Sequence, residues 1–185
     1  EEKKTTSSEE GDPQAGEGEN PTEETTYVAS IGEQGYASLD AAIQAAASGA
    51  TVTLLDNVEL TATLTISNKD ITLDVDSNTL TVSVSNGDGI VVENATLTLA
   101  SSGTGKYVFK CSARNSDGIY VNNTDASTTS TLNLNGDVEI NVQASVNSAI
   151  HAYATAGNAI VNINGGKITA TGSGKQFKAI HVDQN

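Results

Sequence analysis

The sequence predicts an all-β fold, a parallel β-helix of about five turns with three short strands per turn, and three observations predict it. From Ala50 onward the chain is written in Thr, Val, Ile, Leu, Asn and Gly with period-2 alternation, the pattern of strands buried on one side. Residues 88–94, 117–123, 148–154 and 178–184 superimpose on Ile90, Ile119, Ile150 and Ile180, spaced by 29, 31 and 30 residues, with a weaker earlier copy at Leu64-Thr-Ile66. Between successive copies two further strand segments recur in fixed order. The first set is Ile71-Thr-Leu73, Leu97-Thr-Leu99, Leu132-Asn-Leu134 and Val161-Asn-Ile163; the second is Leu80-Thr-Val82, Tyr107-Val-Phe109, Val138-Glu-Ile140 and Ile168-Thr-Ala170.

A unit of about 30 residues with three strands has no way to bury its apolar side chains alone. Coiled so that each strand pairs with its copy one turn later, the repeat closes a shared core. The predicted inward columns are Leu64/Ile90/Ile119/Ile150/Ile180 and Ile66/Val92/Val121/Ala152/Val182, aliphatic throughout. Their neighbours Thr72, Thr98, Asn133 and Asn162 are polar and fall outward, as one-sided burial requires. Cys111 is in phase with Tyr107 and Phe109, so it is expected inward, as a buried and unreactive thiol.

Residues 1–26 are dominated by Glu, Thr, Ser and Gly, hold both prolines, and read as an acidic low-complexity tail. Nine acids against two lysines place half of the net charge of −14 there. Residues 27–49 read as an N-terminal cap to a β-helix over 50–185. Tyr27-Val-Ala-Ser-Ile31 alternates like a strand, Gly32 and Gly35 mark a turn, and Ser38 N-caps a helix over 39–47. Leu39, Ala42, Ile43 and Ala46 share one face of that helix, and Gly49 supplies its stop.

Composition then narrows function by exclusion. Acids outnumber bases 23 to 9, which repels phosphate backbones and anionic headgroups, so nucleic acid is not an expected partner. No apolar run approaches the length of a membrane span. The single cysteine has no internal disulfide partner, and no CxxC or Cys/His cluster suggests structural zinc. A polar acidic stretch of this kind commonly follows a removed signal segment, so the expected location is extracellular or on the cell surface.

The run Tyr36-Ala-Ser-Leu-Asp-Ala-Ala-Ile-Gln-Ala-Ala46, followed by Gly49-Ala-Thr-Val-Thr-Leu-Leu55 and Ile71-Thr-Leu-Asp-Val75, resembles the N-terminal capping helix and first turns of right-handed parallel β-helix proteins of the pectin-lyase-like group. Asn164-Gly-Gly-Lys-Ile-Thr-Ala-Thr-Gly172 is similar to runs in repeat-rich surface and secreted proteins of bacteria. The resemblance covers residues 27–185 and implies a right-handed coil. It is poorly specific for function, because this fold hosts lyases, hydrolases, adhesins and inert stalks.

Polysaccharide-cleaving members of such a group rely on grouped carboxylates, often with Ca²⁺, and on a basic residue. Arg114 is the sole arginine, and no column joins several acids to a base on consecutive turns, so neither a catalytic residue nor a cofactor is expected. The nearest approach to a Ca²⁺ site is Asp88 and Asp117, in the doubled Asn86-Gly-Asp-Gly-Ile90 and Asn115-Ser-Asp-Gly-Ile119. Stacked a rung apart, two carboxylates repel unless a cation intervenes, although Asx and Gly at such positions equally serve turn geometry. Tyr120, His151 and His181 form an outward stack, suited to a transition metal or a sugar ring or present as a plain ladder, with no third metal ligand evident. The Thr-x-Thr runs raise ice binding, but Thr72 and Thr98 pass into Asn133 and Asn162, so the hydroxyl array does not persist.

The expected function is that of a non-catalytic extracellular or cell-surface structural or adhesive β-helix, with a carbohydrate-binding or polysaccharide-cleaving module of the same fold as the alternative. Lys178, Ala179, Ile180, His181, Val182, Asp183 and Gln184 begin a fresh turn with no cap after it. An uncapped edge is a template for another strand, so the expected partners are copies of the chain stacked end to end into a fibre, or a surface glycan or host protein.

Overall fold

The structure is a computed structural model that describes residues 26–113, 115–144, 147–171 and 177–184. Residues 1–25 of the acidic tail and Arg114 lie outside the described residues.

The chain enters through a hairpin, β1 (Ala29–Ile31) and β2 (Gln34–Tyr36), turned at Gly32 with φ 57°. β1 also pairs antiparallel with β3 (Ala50–Leu54), so the hairpin covers an edge that would otherwise be open. Between them, α1 (Leu39–Ala45) is N-capped by Ser38, whose Oγ accepts from the Ala41 N–H at 3.1 Å. Its apolar face of Leu39, Ala42, Ile43 and Ala46 is buried, as the spacing predicts.

The helix ends two residues short of the predicted 39–47, and Gly49 is not its stop. Lys69 Nζ donates to the carbonyls of Ile43, Gln44 and Ala46 at 3.0, 3.3 and 3.2 Å. An ammonium there satisfies orphan acceptors and opposes the negative end of the helix dipole, so the terminator comes from the rung beneath. Gly49, at φ 87°, turns the chain into β3 instead.

The body then lays down one strand in each of three sheets, five times over. β3, β4 (Val58–Leu60) and β5 (Leu64–Ser67) make the first rung, and β6 (Asp70–Asp74), β7 (Thr79–Val84) and β8 (Ile90–Glu93) the second. β9 (Thr96–Ala100), β10 (Lys106–Cys111) and β11 (Asp117–Asn123) follow, then β12 (Thr129–Asn135), β13 (Glu139–Ala144) and β14 (Ser148–Ala154), and finally β15 (Asn158–Ile163), β16 (Lys167–Thr171) and β17 (Lys178–Gln184). The sheets run β15-β12-β9-β6-β3, β16-β13-β10-β7-β4 and β17-β14-β11-β8-β5, with every rung-to-rung pairing parallel. The protein is a parallel β-solenoid.

Registers follow the repeat in the third sheet: Leu64 sits beside Ile90, Ile90 beside Ile119, Ile119 beside Ile150 and Ile150 beside Ile180. This column is buried through the fourth rung. In the second sheet the sequence alignment slips. It sets Val138 beside Tyr107, whereas the structure puts Ile140 there and Val142 beside Phe109. A two-residue slip leaves every side chain on its own face, so alternation does not detect it. Val138 is buried just before β13 instead, two residues after Gly136 at φ 73°.

Polar groups inside and out are paired along the same axis. Outside, Asn162 Nδ2 donates to Asn133 Oδ1 at 2.8 Å and Asn133 Nδ2 donates to Thr98 Oγ1 at 3.2 Å. Inside, the fully buried Tyr107 directs its hydroxyl at the carbonyls of Leu73 and Ala100, at 2.7 and 2.9 Å. Asn68 and Asn94, at φ 55° and 49°, turn the third sheet back into the first within two residues. Cys111 is buried as expected, and burial pushes its thiol up to about 11, which keeps it protonated and unreactive.

Because Ile119 lies at the middle of a five-residue aliphatic column, an aspartate there would place an unpaired charge among apolar neighbours. Ile119→Asp is expected to abolish cooperative thermal unfolding followed by circular dichroism, whereas outward Thr98→Ser should stay within about 0.5 kcal/mol of the parent. Retention of the parental melting temperature by Ile119→Asp would refute the register.

Candidate functional site

On each strand of the third sheet the residue after the column isoleucine points outward, which stacks Val91, Tyr120, His151 and His181 on consecutive rungs. The His151 and His181 rings lie 4.7 Å apart between centroids with 19° between planes, and Tyr120 is tilted against His151 at 5.2 Å. The predicted stack is therefore present. It is also less exposed than a surface ladder would be, with the His151 and His181 side chains at 14% and 21% exposure.

One aspartate holds the stack from one side and a second holds that aspartate. Asp117 opens β11, its backbone N–H donates to Asp88 Oδ1 at 2.6 Å, and its own Oδ2 lies 2.9 Å from His151 Nδ1. Asp88 and Asp117 thus occupy successive rungs as predicted, and each commits one oxygen to a protein partner. That is how an Asx residue serves a turn, whereas Ca²⁺ asks for about six to eight oxygens around one point. Burial raises the Asp88 carboxyl above its ordinary value, opposed by the Asp117 N–H and reinforced by the Asp117 charge. Burial raises Asp117 as well, opposed by its hydrogen bond to His151. A cleft of about 200 Å³ opens beside them, lined by Asp88, Asn115, Asp117, Tyr120, Asn147 and His151.

Asp183 closes the stack on the other side, and sequence reasoning missed it as a site residue, counting it only in the terminal strand. Its Oδ1 is 3.1 Å from His181 Nε2 and its Oδ2 is 3.6 Å from His151 Nε2. The available signal was the spacing His181-Val-Asp183, since residues i and i+2 of a strand share a face. Among the described residues, His151, His181 and Asp183 form the one group of three whose metal-ligating atoms all lie within 4.8 Å of one another. His151 Nε2 is buried and has no hydrogen-bond partner. Asp117, His151 and Asp183 thus line up across three rungs, with Asp117 in hydrogen-bond distance of the ring and Asp183 beyond it.

The strand proposed for self-association, Lys178 to Gln184, is β17, paired to β14 along one edge and to no strand among the described residues along the other. On this fifth rung the inward columns surface: Ile163, Ile180 and Val182 are 48%, 39% and 65% exposed. No family model, no curated protein and no solved structure matches the chain.

Asp88→Asn keeps an oxygen to accept the Asp117 N–H while removing a carboxylate that burial and Asp117 both disfavour. It is expected to stabilise the fold at neutral pH by roughly 0.2–1 kcal/mol, the range for relieving opposed like charges. A raised folded-state value means the parent gains stability as pH falls and Asp88 takes a proton, so the advantage of Asp88→Asn should shrink toward pH 4 and be absent below the carboxylate range. Thermal melts at pH 7 and pH 3.5 check both parts.

Proposed function

We propose that this protein is a non-catalytic structural or adhesive β-solenoid of the bacterial cell surface, of the pectin-lyase-like kind, that self-associates through its fifth-rung face. The observation that carries the reading is how the side chains are used. Column after column serves rung-to-rung stacking: aliphatic residues inside, and the Thr98–Asn133–Asn162 and Asn135–Asn164 ladders outside. A molecule committed in this way is a spacer or platform. The acidic low-complexity composition of residues 1–26 supports a location outside the cell. No helix among the described residues is long and apolar enough to cross a membrane.

The fifth rung supports self-association. Ile163, Ile180 and Val182 continue inward columns yet face solvent, and β15, β16 and β17 carry free parallel edges among the described residues. The surface that matches such a face is another rung of the same repeat, and a second copy supplies one. At the opposite end β1 occupies the outer edge of β3 and the apolar face of α1 is buried, so pairing between two fifth-rung faces meets less obstruction than stacking head to tail.

Light scattering and negative-stain microscopy of the purified chain across a concentration series test this. Assembly that grows with concentration and is lost in Val182→Lys is expected, particles of twice the mass marking face-to-face pairing and filaments marking head-to-tail stacking. Monomers at every concentration would overturn the assembly mode.

A further inference from the structure

We propose that His151, His181 and Asp183 bind a divalent transition metal of the zinc class, with Asp117 as a positioning residue, so that the ion clamps the fifth rung to the fourth. The His151 ring is held at one nitrogen and open at the other. Asp117 Oδ2 lies 2.9 Å from Nδ1 and takes up that ring nitrogen, which leaves Nε2 as the nitrogen turned toward the site. Nε2 is buried, has no hydrogen-bond partner, and faces the Asp183 carboxylate at 3.6 Å. A buried ring nitrogen without a partner, facing a carboxylate beyond hydrogen-bond reach, is a pairing that a metal ion set between the two satisfies. The carboxylate that orients the non-ligating nitrogen is the usual second partner of a metal-bound histidine.

Distances agree with one ion. At about 2.0–2.1 Å from each ligand atom, tetrahedral coordination sets those atoms roughly 3.3 Å apart. Asp183 approaches His181 Nε2 through Oδ1 at 3.1 Å and His151 Nε2 through Oδ2 at 3.6 Å, so its carboxylate reaches both rings at about that spacing and serves one ion through a single oxygen after a small rotation. The third edge, between the two imidazole nitrogens, lies within 4.8 Å and closes by turning the rings out of their 19° stack toward the ion. Asp183, half exposed, leaves a side open for a water as fourth ligand.

Charge and ligand type point the same way. Asp117 and Asp183 flank the His151 ring, Asp88 lies close enough to that ring for the two to act on each other, and among the described residues the only basic side chains within 4.0 Å of Asp117 and Asp183 are the two imidazoles. Two imidazoles and a carboxylate suit zinc, cobalt, nickel or copper and not magnesium or calcium. The ligands come from β14 and β17 and the positioning residue from β11, so one ion ties three consecutive rungs of the third sheet.

The full-length chain, untagged and stripped with chelator, is titrated with Zn²⁺, Co²⁺ and Mg²⁺ by calorimetry at pH 7.5, with visible absorption for Co²⁺ and thermal melts in parallel. The expected result is one Zn²⁺ per chain, a four-coordinate Co²⁺ spectrum, a higher melting temperature with Zn²⁺, and no comparable Mg²⁺ binding. His181→Ala and Asp183→Asn, each confirmed folded by circular dichroism, should each lower Zn²⁺ affinity at least tenfold. Asp117→Asn, which retains every ligand, should weaken it about 10–100-fold. Absence of saturable Zn²⁺ binding, equal binding of Mg²⁺, or binding that survives in His181→Ala and Asp183→Asn would overturn the proposal, the last by assigning the ion to carboxylates elsewhere.

Discussion

Parallel pairing of each strand with its copy one turn later is the constraint from which the rest of this structure follows. It sets every residue about 4.8 Å from its own counterpart, so like falls on like up the whole molecule. For aliphatic side chains the result is a continuous core with no layer of its own, and for Asn and Thr a ladder of side-chain hydrogen bonds. For charges, like on like is repulsive, and the sequence answers by alternating: Lys106, Glu139 and Lys167 follow one another on consecutive rungs, with Lys106 Nζ 3.0 Å from Glu139. The Glu139 carboxyl is held below its ordinary value by that lysine.

The same constraint makes the first and fifth rungs differ from those between them. At the first rung an antiparallel hairpin and a helix replace the missing neighbour, and Lys69 secures the helix from below. On the fifth rung the columns continue into solvent at Ile163, Ile180 and Val182. His151 and His181 stand on the last two rungs, where like meets like as imidazole on imidazole. Asp117 and Asp183 approach that pair from opposite sides, which is the geometry the proposed metal site rests on.

Much of this was legible in the sequence, and the limits are physical. The repeat at Ile90, Ile119, Ile150 and Ile180 predicted the third-sheet register residue by residue, since one isoleucine per turn at near-constant spacing leaves little choice. The Val138 slip escaped because a shift of two residues conserves facing. The helix end escaped because its terminator, Lys69, is more than twenty residues away in sequence and adjacent only through coiling. Asp183 lies in the next outward column, beside Tyr153 and not beside a histidine, and it reaches His181 along its own strand and His151 diagonally across the rung, so the column pattern alone does not mark it. The Tyr120/His151/His181 stack needed only the register and was predicted from it.

Strand-resolved hydrogen exchange of the native chain reads how strongly each rung is coupled to its neighbours. If rungs are coupled only to their neighbours, amides of β8 and β11, in the middle of the third sheet, should exchange slowest, and protection should fall stepwise through β14 to β17. Equal protection in all five strands, or fast exchange at β11 with slow exchange at β17, would contradict a core built by rung-on-rung stacking.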